Sequence, residues 1–318
     1  SPGTCLKKGD EVLLINIQGG SSTINTGNHE ILKVDSVDGA TIKFATAKTK
    51  YYGSADKSDA GLGVDCGSQI VVMQRIPQFT DVTVASGKTL SAKSWNGKTG
   101  GILAFKASGA VNINGSIDVT GDGFRGGVAG NYSGEGMSAC STSVGKASFG
   151  GAAAGAYGGA YATRVEVTGS GLVYGVSDLS KMYLGSGGSS NSGAGDCRYN
   201  YSSNGAYGGG IVFILGKNIN VNGTLSAKGG NGQAWAKSGG GDDGPSSCSS
   251  DSGSGSGGSV KLVGENVTLG VEKTLVGGGI DARNRQAGAG GAGRVAIYYT
   301  GVVSGTTTPS FYSKLFPQ

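Results

Sequence analysis

Apolar and polar residues alternate through the best-defined stretches of this chain. In Val212, Ile214, Ile219 and Val221, and again in Val260, Leu262, Val267 and Leu269, apolar side chains fall on every second position. That period of two puts one face of a strand inside and the other outside. Each stretch is introduced by a glycine pair and broken by a polar turn. The first copy runs Gly100-Gly101-Ile102-Leu103-Ala104-Phe105, then Val111-Asn112-Ile113-Asn114-Gly115-Ser116-Ile117-Asp118-Val119. The second starts at Gly209-Gly210 and the third at Gly257-Gly258, aligned without a gap at an offset of 48 residues, and a shortened fourth is Gly293-Arg294-Val295-Ala296-Ile297-Tyr298. A unit of this size cannot bury its apolar face alone, so copies must stack. The expected architecture is all-β, with a Gly-rich β-solenoid over residues 81–301.

Residues 1–80 have another texture. Strands are expected at residues 11–18, 30–37, 41–44 and 69–76, with Asp38-Gly39 as a hairpin turn. Short antiparallel strands over this length predict a small β-barrel or sandwich, serving as a binding module or as a cap on the open solenoid end. His29 falls in this module and is expected at a surface or turn position. A large insertion, residues 124–208, separates the first two repeats and carries Tyr157, Tyr161, Tyr174, Tyr183, Tyr199, Tyr201 and Tyr207. It is expected to pack as a Gly-rich subdomain on one side. Residues 302–318 read as an extended tail in which Phe311, Tyr312, Leu315 and Phe316 need a surface to lie against, either the chain's own flank or another subunit.

Composition narrows the function classes. The 65 glycines far exceed the usual share of roughly 7%, but they lack the third-residue period of collagen and alternate with ordered repeats. The net charge of +5 comes from singly scattered basic residues, which gives no footprint for nucleic acid. No apolar run approaches the ~20 residues of a membrane helix. The opening Ser1-Pro2-Gly3-Thr4-Cys5 and the Gly, Ser, Thr, Asn and Tyr content read as an exported chain, extracellular or at the cell surface, with its signal peptide removed.

Five cysteines, none in a Cys-x-x-Cys pair, read as disulfide partners in such a compartment. Cys5 and Cys66 bracket the first module. The repeat offset brings Cys197 beside Cys248, which leaves Cys140 free, buried, differently paired, or joining two subunits. Asp118 with Asp122, and Asp242 and Asp243 with Asp251, offer oxygen ligands for calcium, but their spacing matches neither known loop pattern, and no cofactor is expected. No phosphate-binding loop and no catalytic set is recognised, so the chain is not expected to be an enzyme. Asn112, Asn114, Asn220, Asn222 and Asn266 recur at matching turns and predict side-chain amide ladders.

The segments Gly9-Asp10-Glu11-Val12-Leu13-Leu14-Ile15, Ile76-Pro77-Gln78-Phe79-Thr80-Asp81-Val82, Trp95, Gly208-Gly209-Gly210-Ile211-Val212 and Gly293-Arg294-Val295-Ala296 resemble glycine-rich secreted bacterial surface proteins, including N-terminal regions of gliding-motility and adhesin-like proteins. The resemblance implies export and surface display and supplies no catalytic residues. The expected function is a structural subunit of an extracellular filament or surface assembly, a homopolymer joined through β edges, tails and Gly/Tyr-rich loops. The alternatives are a monomeric adhesin or carbohydrate-binding protein whose Tyr-rich face meets glycans, and a polysaccharide-degrading β-helix enzyme.

Overall fold

The computed structural model describes residues 6–20, 22–65, 67–128, 133–138, 158–164, 170–192, 202–233, 252–280 and 288–316. The described residues are all-β, with no α-helix among them. The first module is a four-stranded antiparallel sheet of β1 (Glu11–Gln18), β2 (His29–Asp38), β3 (Thr41–Phe44) and β4 (Ile70–Arg75), in the order β3-β2-β1-β4. The turn between β2 and β3 uses Gly39 at φ 56°, the positive φ that a two-residue hairpin loop requires.

From Gln78 onward the pairing becomes parallel. The next strands are β5 (Gln78–Phe79), β6 (Val82–Val84), β7 (Thr89–Leu90), β8 (Ile102–Ala107), β9 (Ala110–Ile113) and β10 (Ser116–Asp118). A small antiparallel pair, β11 (Asn191–Ser192) and β12 (Ser202–Ser203), lies in the insertion. Then come β13 (Ile211–Val221), β14 (Thr224–Ser226), β15 (Ser259–Leu269) and β16 (Thr274–Leu275). The chain closes with β17 (Arg294–Tyr299), β18 (Val303–Ser304), β19 (Thr307–Thr308) and β20 (Tyr312–Leu315).

These strands build three parallel ladders. The first follows β5-β8-β13-β15-β17-β20, the second β6-β9-β13-β15-β18 through the later halves of β13 and β15, and the third β7-β10-β14-β16-β19. Ile211 pairs with Ser259 and Val221 with Leu269, so the offset of 48 seen between repeats is the register of the sheet. Asn220 Nδ2 donates to Asn112 Oδ1, Asn222 Nδ2 to Asn114 Oδ1 and Asn266 Nδ2 to Asn218 Oδ1, each at 2.9 Å. These are the predicted amide ladders, with Asn218 as an additional rung.

Two cores result from the alternation. Leu103, Phe105, Val212, Ile214, Val260, Leu262, Val295 and Ile297 point inward from the first ladder and meet Val111, Ile113, Ile117, Ile219 and Leu225 from the other two. Ile102, Ala104, Ile211, Phe213, Ala296 and Tyr298 point the other way, into a second core with Leu13, Ile15, Ile17, Ile70 and Ile76. The first module therefore lies across the outer face of the first ladder and not over its end. Each fully buried Ile or Leu in these cores contributes about 1.5–3 kcal/mol.

The glycine-rich segments between strands form a third layer held by backbone hydrogen bonds. Gly123 N donates to Gly208 O, Gly208 N to Phe124 O, Gly185 N to Gly209 O and Gly209 N to Ser256 O. Side chains have no room there: a methyl group on Gly255 would stand 1.9 Å from the Tyr207 carbonyl oxygen, and one on Gly258 1.9 Å from that of Gly210.

Candidate functional site

The ladders end in two different ways. At the start all three begin together with β5, β6 and β7, each paired on one side only among the described residues. Phe79 and Leu90 on these short strands are 48% and 38% exposed. At the far side the three ladders reach β17, β18 and β19 together, and β20 then extends the first ladder alone. Unpaired strand edges of this kind accept further strands.

The tail residues divide by side. Phe311 packs on the inner core and Tyr312 on the outer one. Phe316 stacks on Tyr298 at 5.0 Å, and its N–H donates to Tyr299 O at 2.8 Å. In a parallel strand the N–H and C=O of one residue point the same way and alternate along the chain. Tyr312, Lys314 and Phe316 therefore bond toward β17, and Ser313 and Leu315 present their backbone groups to the open edge. Leu315 is 57% exposed. The tail lies on the chain's own flank, held by one ladder.

Three tyrosines of the insertion form a buried group, unlike the Tyr-rich face that the alternative glycan-binding reading requires. Tyr161 and Tyr174 lie 4.8 Å apart, with Tyr183 edge-on to both. Tyr174 Oη donates to Leu184 O at 2.7 Å, Tyr161 Oη meets Ser259 Oγ at 2.8 Å, and Arg294 Nη2 donates to Tyr174 O at 2.9 Å. Burial pushes the hydroxyls of Tyr161 and Tyr174 above their ordinary range and that of Tyr183 to about 12. Tyr207 is exposed, and Tyr157, Tyr199 and Tyr201 lie outside the described residues. The physical reason is packing: the three rings join Leu179, Met182 and Leu184 in one buried cluster.

His29, expected at the surface, is 7% exposed and starts β2. The sequence reading missed its partner, Lys261, which lies on the outer face of β15 between Phe213 and Ala296 in the ladder register. The Gly27 carbonyl can only accept, so the 3.1 Å contact places the proton on His29 Nδ1 and leaves Nε2 to receive Lys261 Nζ at 3.0 Å. Lys261 Nζ also donates to Leu179 O at 3.0 Å and lies 5.1 Å from the centre of the Tyr298 ring. Burial, aided by the Lys261 charge, takes His29 down to about 3, and burial lowers Lys261 to about 8. This junction joins the first module, residue 179 of the insertion and the ladder.

Cys5, Cys66, Cys140, Cys197 and Cys248, together with Asp242, Asp243 and Asp251, lie outside the described residues. Asp122 Oδ1 accepts from Ser94 Oγ at 2.5 Å, and Asp118 Oδ1 accepts from the Thr120 N–H at 2.9 Å. Burial, reinforced by the Asp118 charge, holds Asp122 above its ordinary value against the opposing Ser94 bond. Among the described residues no three His, Cys, Asp or Glu side chains come together as a metal site, and no helix is long and apolar enough to cross a membrane. Comparison with protein-family models, curated proteins and solved structures finds no match for this chain.

Proposed function

We propose that this chain is an exported structural subunit whose parallel passages form a β-solenoid and which assembles head to tail into an extracellular filament or surface layer. One observation carries the reading: the ladders run in a single strand direction and finish in partly apolar edges that are unpaired among the described residues at both ends. The first edge of one copy has the polarity needed to continue the last edge of another. Such a heterologous contact does not close on itself and generates a filament. The glycine, serine and threonine content supports export, and the burial of Tyr161, Tyr174 and Tyr183 takes the main support from a glycan-binding tyrosine face.

The test uses β5. Lys106 N and Ser108 N donate to Pro77 O and Phe79 O, so the Gln78 backbone faces the open edge. Gln78→Pro removes that outward donor and keeps the bonds to β8. Negative-stain microscopy and sedimentation should show filaments from the native chain and single subunits from Gln78→Pro, both with the same melting temperature. Single subunits at every concentration, both from the native chain and from a variant whose last strand is loosened, would overturn the proposal.

A further inference from the structure

The two ends of the stack do not match as long as β20 is in place. The first ladder then has six strands, β5, β8, β13, β15, β17 and β20, while the second and third stop one passage earlier at β18 and β19. A second copy docking its β5 on β20 would leave a strand-wide gap beside β18 and β19. Without β20, the three ladders end flush at β17, β18 and β19, and they begin flush at β5, β6 and β7. A second copy could then continue all three at once.

The register shows what β20 stands in for. Following paired residues across the first ladder, one column reads Gln78, Lys106, Leu215, Val263, Tyr298, Lys314; beside it Phe79 pairs with Ala107, and Gly216, Gly264, Tyr299 and Leu315 pair in turn. On β17, Lys314 and Leu315 take the positions that Gln78 and Phe79 of the following copy would take. A polar residue is replaced by a polar one and an exposed apolar one by another. β20 is held by one ladder and by the flanking Phe311, Tyr312 and Phe316 contacts, while Ser313, Lys314 and Leu315 are exposed. An incoming copy offers β5, β6 and β7 together.

We infer that the edge formed by β17, β18 and β19 is the docking surface for β5, β6 and β7 of a second copy, and that β20 is a self-capping strand that this copy displaces. The inference rests on the head-to-tail reading above and adds the joint's register and its control. Phe79 of the incoming copy packs beside Tyr299. The subunit repeat along the filament is five strand spacings, roughly 24 Å at about 4.8 Å each.

Two proline variants of the full chain separate the cases. Lys314→Pro removes a donor that faces β17 and loosens the cap, whereas Ser313→Pro removes a donor on the open edge and leaves the cap bonded. Lys314→Pro should shorten the assembly lag and lower the critical concentration about fivefold, the effect of one lost ladder hydrogen bond. Ser313→Pro should assemble as the native chain does, and fibre diffraction should give the roughly 24 Å repeat. Filaments lost in Ser313→Pro, unchanged in Lys314→Pro, or repeating at roughly 29 Å would show that the joint is built on β20, overturning this inference while the filament reading stands. Single subunits in every sample, Lys314→Pro included, would overturn both.

Discussion

Lowering the pH should destabilise this protein well before its carboxylates titrate, through His29 alone. Its ordinary value of 6.5 falls to about 3 in the fold. A group whose value is depressed on folding is bound to fewer protons in the native state, so the stability it preserves is intact above 6.5 and lost as pH falls toward the folded value. Working the two values through the linkage relation gives a loss of about 2 kcal/mol between pH 7.5 and 5. The chain contains a single histidine, so no second imidazole contributes. Lys261, lowered to about 8, acts only at alkaline pH, where stability rises toward its ordinary value of 10.5. Asp122, raised by burial, has the opposite sign and cannot generate a loss on acidification. The assay is urea unfolding of the Gln78→Pro chain, followed by fluorescence across that pH range. His29→Gln keeps an acceptor for Lys261 and removes the titration, so its stability should be flat from pH 7.5 to 5. A flat profile in the parent, or an equal slope in His29→Gln, would refute the buried neutral imidazole.

Gly258→Ala should be among the most damaging single-methyl changes in the chain, because the added carbon meets the Gly210 carbonyl at 1.9 Å. A loss of about 3 kcal/mol or more is expected, read as a fall in melting temperature, while Gly277→Ala, with open space around it and no positive φ, should cost far less. Asn220→Ala removes the donor to Asn112 and should cost about 1 kcal/mol by denaturant titration, with the fold retained.

Much of the ladder was legible because alternation and repeat offset are local and self-consistent. Residues 209 and 257 start copies that differ by 48 positions, and the strands pair at that same offset. The covered outer face was harder to read, although a trace was present: Ile211-Val212-Phe213-Ile214-Leu215 is apolar without interruption, the mark of a parallel strand buried on both sides. Attention to the inward set left Phe213 and Lys261 facing solvent. Nothing near His29 in sequence signals that a sheet formed by residues 11–75 will lie on strands two hundred residues away. That the insertion would pack was legible from its length, but not which tyrosines it would bury, because the backbone bonds that bring Tyr161, Tyr174 and Tyr183 together join residues far apart in sequence.

The placement of the first module has a mechanical consequence. The ladder hydrogen bonds lie along the stack, so tension along it pulls on every rung of a layer at once. The sheet β1–β4 packs against residues of β8, β13 and β17 and acts as a splint across the middle passages. In the head-to-tail assembly proposed above, a pulled filament should therefore part between subunits, leaving each splinted body intact and able to rejoin.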